Sequence, residues 1–144
     1  MIGIFNRSHY EDIVTVRVLG LVPSAVWRPR GRRIAEFEQL LAQEGTTVLK
    51  CFLHVSQAEQ AERLAERVSD PTKAWKSNPK DLETNKRFDE FTAAYEDALA
   101  ATSTKPAPWY VIPADRNWVR NLAVTTVLIH ALRKLDPQFP VLAP

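Results

Sequence analysis

The chain has 144 residues, 45% of them hydrophobic and 25% charged, with a formal net charge of +2 at pH 7. This is the composition of a globular domain with material for one core; it excludes disorder throughout, and so small a net charge gives no ground for a nucleic-acid partner. A single cysteine, Cys51, excludes an intrachain disulfide, and no apolar run is long enough to cross a bilayer, so the expected compartment is the cytoplasm, with no membrane partner.

The first dozen residues run from apolar (Ile2, Ile4, Phe5) to polar and charged (Asn6 to Asp12). That is how a buried parallel strand delivers functional groups to the carboxyl edge of an α/β sheet. Such a strand sits between neighbours, so the chain reads as the second part of something larger. A helix is expected after it, ending near Gly20, with Pro23 blocking continuation. The basic stretch Trp27-Arg28-Pro29-Arg30-Gly31-Arg32-Arg33 reads as an exposed connection because of its Pro and Gly. Ile34, Phe37, Leu40 and Leu41 then share one face of a helix that stops at Gly45.

Thr46 to Val55 reads as a second strand covered on both faces. Ser56 and Glu59 have the spacing of a capping box, opening a helix to Val68. After a break between Ser69 and Pro79, a long helix is expected from Asn78-Pro79 towards Thr102, with Phe88, Phe91, Tyr95, Ala98 and Leu99 inward. Trp109 to Ile112 reads as a third strand ended by Pro113. A last helix, from about Asp115 to Leu135, carries Trp118, Leu122, Thr125, Ile129 and Leu132 on one face. Strands alternating with helices predict a small, mostly parallel α/β sheet.

Several groups carry chemical potential, each with two readings. Asn6 can place a metal ion while Arg7 holds phosphate oxygens with its planar fork, or Asn6 merely caps and Arg7 pairs with Glu11 at i, i+4. Lys73-Ala-Trp-Lys76 joins two helices as a cationic lid over an anion, or is a solvated loop. Arg63 and Arg67 extend that basic surface, or are offset by Glu62 and Glu66. His9, His54 and His130 lack zinc spacing, and no serine-hydrolase elbow surrounds Ser8. The four glycines, at positions 3, 20, 31 and 45, form no phosphate-cradling loop.

Taken together, Ile4 to Asp12, Phe37-Glu38 with Glu44-Gly-Thr-Thr47, Asp70 to Ser77, Phe88 to Glu96 and Ala107 to Asp115 resemble the type-2 polyphosphate kinase family, in order and over nearly the whole chain. The resemblance implies a partial P-loop kinase-like three-layer fold, a small mostly parallel sheet flanked by helices, with a helical lid. By it, residues 1–136 are the carboxyl-terminal part of a kinase domain, the lid spans about 57–80, and 137–144 form a tail. It implies phosphoryl transfer between inorganic polyphosphate and AMP, ADP or ATP, with Mg2+ as cofactor. Asn6 would place the metal, Arg7 would act catalytically on phosphates, Glu11 would lie near the nucleotide, and Arg63, Arg67, Lys73 and Lys76 would contact phosphates. Family members carry a Walker A loop upstream of this region, so little activity is expected without that half. The expected partners are polyphosphate, adenine nucleotides and a complementing Walker A half, and an unpaired sheet edge predicts homo-oligomers.

Overall fold

The computed structural model describes residues 2–72, 75 and 84–139. Its elements are a 3-10 turn (His9–Asp12), α1 (Thr15–Val18), α2 (Ser24–Gln43), β1 (Lys50–His54), α3 (Gln57–Ser69), α4 (Phe88–Thr102), β2 (Trp109–Pro113) and α5 (Asn117–Leu135). β1 and β2 pair in parallel, from Lys50 opposite Trp109 to His54 opposite Pro113. A parallel pair needs a long crossover, and α3 and α4 lie on it.

The described sheet has two strands, not three. Ile2, Ile4 and Phe5 are 69%, 89% and 85% exposed and form no strand. A strand exists only through its ladder of partners, and no described neighbour supplies one. β1 is also shorter than the apolar run that contains it, because β2 offers only five residues to pair with.

The basic segment Trp27 to Arg33 corrects a second expectation: it lies inside α2, with Pro29 in its second turn. Pro removes one backbone donor but keeps a helical φ. The surrounding cations hold this turn in place, since Arg30 donates to the Asp12 carbonyl (3.1 Å) and both Arg17 and Arg28 lie over the Trp27 ring. Two glycines end turns as expected, Gly20 at φ +64° and Gly45 at φ +82°.

The core gathers Tyr10, Ile13, Val14, Val18, Ala94 and Ala98, with Ile34, Phe91, Tyr95 and Trp109 packed against it. The inward stripe of α4 matches expectation, shifted to small residues at its centre. α2 does not match: Phe37 and Leu40 are each 52% exposed, and Glu38 is the buried residue between them. On α5, Trp118 and Leu122 are likewise exposed, although the helix packs on β2.

Glu38 is buried because Lys50, the first residue of β1, is buried beside it. Lys50 Nζ donates to Glu38 Oε2 (2.6 Å), to the Tyr10 hydroxyl (3.0 Å) and to the Thr102 carbonyl (2.8 Å). Tyr10 in turn donates to Glu38 Oε1 (2.9 Å). The cluster pins the turn after Asn6-Arg7-Ser8 to α2, β1 and the end of α4.

Candidate functional site

Parallel strands end on the same side, so β1 and β2 deliver His54-Val55-Ser56 and Pro113-Ala114-Asp115 to one edge. Ligands of open α/β sheets collect at this carboxyl edge. Three tie points fix it. The Ala114 N–H donates to the His54 carbonyl (2.8 Å), the Ser56 N–H donates to Asp115 Oδ1 (2.7 Å), and Ser56 Oγ accepts from the Glu59 N–H (3.3 Å).

The capping box is thus half made. Ser56 caps α3 as its sequence predicts, but the Glu59 carboxylate turns to Arg63 Nε (2.6 Å), and Asp115 takes the Ser56 amide in its place. That amide bond chiefly holds the Asp115 carboxyl below its ordinary range, with the charges of His54 and Arg63 helping.

Arg63 projects from α3 over this edge. Its Nη2 donates to the carbonyls of Ala114 (2.8 Å) and Asp115 (2.7 Å), clamping the start of the β2–α5 connection. With Nε on Glu59, only Nη1 makes no described bond. The guanidinium is therefore a brace with one free arm rather than a solvated cation.

Among the described residues, Asn6, Arg7 and Glu11 make no hydrogen bond to this clamp. Asn6 and Arg7 are exposed, and Arg7 Nε lies 3.7 Å from Glu11 Oε1, the i, i+4 pair that spacing allows. Among the described residues no hydrogen bond or ion pair joins Arg7 to Arg63. Arg67 is exposed on α3. Lys73 and Lys76 lie outside the described residues; between them, Trp75 is 78% exposed with its indole N–H on the Thr72 carbonyl (3.1 Å). Residue-by-residue reading missed Asp115 and Ser56 as partners, and a signal existed: each is a polar residue just past an apolar run.

A profile of the family described as Polyphosphate kinase 2 (PPK2) matches residues 1–140. The chain belongs to the type-2 polyphosphate kinase family.

Its sequence is 54% identical over 137 residues to the AMP/ADP-polyphosphate phosphotransferase of Meiothermus ruber, covering 95% of this chain and 51% of that protein. It is 37% identical over 155 residues to the ADP-polyphosphate phosphotransferase of Rhodopseudomonas palustris, covering 99% of this chain and 54% of that one. Among solved structures, Polyphosphate Kinase 2 from Arthrobacter aurescens superposes with a TM-score of 0.94 at 39% identity, over 100% of this chain and 51% of that chain. The chain therefore spans about half the length of each of these three proteins. The expected fold class, an α/β P-loop kinase-like arrangement, holds, with a parallel sheet of two described strands.

Proposed function

We propose that these residues form the carboxyl-terminal half of a polyphosphate:nucleotide phosphotransferase, moving phosphoryl groups between inorganic polyphosphate and AMP, ADP or ATP in the cytoplasm. The observation that carries this reading is the family match over residues 1–140, in sequence order, on a chain whose two parallel strands end together beneath Arg63.

Phosphoryl transfer asks little covalent chemistry of a protein and depends on positioning and charge neutralisation. In this reading Arg7 grips phosphates with an 85% exposed side chain, Glu11 borders the nucleotide, and Arg63 offers its free Nη1. Arg67, Lys73 and Lys76 supply further cations from a lid spanning about 57–80, within a kinase half spanning 1–136.

Magnesium suits such substrates. It binds through one or two protein oxygens together with substrate phosphates rather than in a dedicated protein cage. Asn6 offers an exposed amide oxygen, and the described residues gather no group of three or more His, Cys, Asp or Glu. These residues fit an ion carried mainly on phosphates and steadied by Asn6; bound there, it would neutralise phosphate charge.

The cradle for the transferred phosphates lies outside these residues, so turnover should require the other half of the fold. A second reading, a remnant that binds polyanions or nucleotides or dimerises without turnover, is favoured by the same exposed Arg7.

The test measures ATP formation from ADP, polyphosphate and Mg2+. It compares the chain alone with the chain joined behind the portion of the Meiothermus ruber phosphotransferase that it does not match. Turnover only in the joined protein is expected. Turnover by the chain alone would overturn the division of labour, and none in a folded joined protein would overturn the function.

A further inference from the structure

The turn His9–Asp12 is four residues long and carries Glu11, with Arg7 just ahead of its cap, Ser8. A single turn of 3-10 helix has poor hydrogen-bond geometry and holds little by itself. What fixes this one lies to its side, where two consecutive residues meet the same carboxylate oxygen. Glu38 Oε1 accepts from the Tyr10 hydroxyl (2.9 Å) and has His9 Nε2 at 3.5 Å. The other oxygen, Oε2, accepts from Lys50 (2.6 Å), so Glu38 holds the turn with one oxygen and β1 with the other.

Tyr10 is tied to both strands at once. Its hydroxyl accepts from Lys50 Nζ (3.0 Å), and its ring stands edge-on to Trp109 at 4.7 Å. Lys50 and Trp109 are partners in the strand register, so the turn takes its position from the first rung of the sheet. Successive residues of a 3-10 helix are about 120° apart, and with Tyr10 turned inward its neighbour Glu11 must turn outward. Tyr10 is 4% exposed, whereas the Glu11 side chain is 45% exposed.

On the outward side the ties are weak. Among the described residues the ion-pair partner of Glu11 is Arg7, at 3.7 Å and itself exposed, a contact that fixes little. The buried bonds of Tyr10 therefore decide where Glu11 points. A buried ion pair brings little net stability, and its best-attested use is to select one arrangement.

Resting on the reading of Glu11 as a residue that borders the nucleotide, we propose that Glu38 and Lys50 are positioning residues of the nucleotide site. Acting through the Tyr10 hydroxyl, they fix the direction in which Glu11 meets the nucleotide, and they touch no substrate themselves. A group that holds the nucleotide alike before and during transfer acts on KM rather than on kcat. Polyphosphate binding, assigned to Arg7 ahead of the turn and to cations elsewhere, is affected least.

The test separates positioning from stability, in the chain joined to the unmatched Meiothermus ruber portion. Replacing Lys50→Met, Glu38→Leu and Tyr10→Phe together removes the ion pair and the hydroxyl while filling their space, a change that buried pairs tolerate. The KM for ADP should rise at least about tenfold, with kcat and the KM for polyphosphate each within about threefold of the parent. Tyr10→Phe alone keeps the ring against Trp109 and should raise the ADP KM at least about threefold. Ala131→Gly, buried on α5 where that helix packs on β2, should lower the melting temperature and leave both KM values unchanged.

A folded triple variant with the parent's ADP KM overturns the proposal, and so does an ADP KM that rises as much in Ala131→Gly. Where the triple variant does not fold, an unchanged ADP KM in Tyr10→Phe overturns it alone. A parent joined protein that makes no ATP removes the enzymatic reading, and amide exchange in the chain alone then decides the positioning. The Glu11 and Ile13 amides donate to the Ser8 and Tyr10 carbonyls (3.2 and 3.1 Å). In Tyr10→Phe they should exchange at least about tenfold faster than in the parent, with the amides of α4 unchanged. Equal exchange at the turn overturns the positioning role.

Discussion

Lys50 and Glu38 form an ion pair of 2.6 Å with side chains only 6% and 2% exposed, at the opposite end of β1 from the Arg63–Asp115 clamp. Its ammonium also lies over the rings of Tyr10 (5.3 Å) and Trp109 (5.1 Å), and Trp109 meets Tyr10 edge-on at 4.7 Å. Burying two charges costs about as much as their attraction returns, so such a pair specifies geometry more than it stabilises.

Removing one partner should therefore be far worse than removing the group together. Lys50→Ala leaves the buried Glu38 carboxylate without its ammonium partner, keeping only the Tyr10 hydroxyl (2.9 Å) and His9 Nε2 (3.5 Å), and should cost about 3 kcal/mol. Replacing Lys50→Met, Glu38→Leu and Tyr10→Phe at once should recover most of that, ending within about 2 kcal/mol of the parent in urea unfolding. Equal losses in both proteins would mean that the pair stabilises on its own account.

Burial, with the Glu38 carboxylate beside it, pushes the Tyr10 hydroxyl above its ordinary value of 10.0, although bonding to Thr102 acts the other way. Above pH 10 the unfolded chain then releases a proton that the folded chain keeps, so stability falls as pH rises. Tyr10→Phe should flatten that fall between about pH 10 and 12 in thermal melts. An unchanged slope would place the alkaline loss elsewhere.

At the clamp the sign is reversed. The Asp115 carboxyl is held below its model-compound value of 3.8, chiefly by the Ser56 amide, so the folded state binds fewer protons than the unfolded one as pH drops through that region. The stabilisation is complete above the ordinary value and is lost as acid protonates the folded carboxylate. Asp115→Asn should narrow the difference in melting temperature between pH 6 and pH 3; a variant that loses as much as the parent contradicts the bond.

Gly31 lies mid-helix in α2, where a Cβ would meet Thr102 Cγ2 at 3.9 Å and Ile13 Cδ1 at 4.0 Å, ordinary contact distances. Gly31→Ala should thus stabilise by up to about 1 kcal/mol through helix propensity alone. Destabilisation would show that α2 and α4 pack more tightly there than these distances allow.

These relationships show what a one-dimensional reading reaches. β1, β2, α3 and α5 were legible as elements from local apolar runs and turn signals, as was the end of α4 at Thr102, whereas the helix start expected at Asn78-Pro79 lies outside the described residues; Ser56 was legible as a cap because its partner is three residues away. α2 begins earlier than its sequence suggests, because Pro29 and Gly31 signal a break that tertiary contacts override, and no local spacing marks Glu38 as buried until Lys50, twelve residues on, is brought against it. Ile2 to Phe5 has a strand's composition and no strand, since pairing is a property of two segments. Arg63 was singled out for its charge, whereas its bonds to Ala114 and Asp115 span about fifty residues and leave no mark on spacing.

Polyphosphate binding by the chain itself, titrated calorimetrically at two salt concentrations, tests the phosphate site most directly. Arg7→Ala and Lys76→Ala should weaken binding and lessen its salt dependence, while Arg32→Ala, an 84% exposed guanidinium paired with Glu36 on α2, should leave both unchanged. Equal losses from all three substitutions would contradict a phosphate site at Asn6-Arg7-Ser8 and leave only a diffuse basic surface.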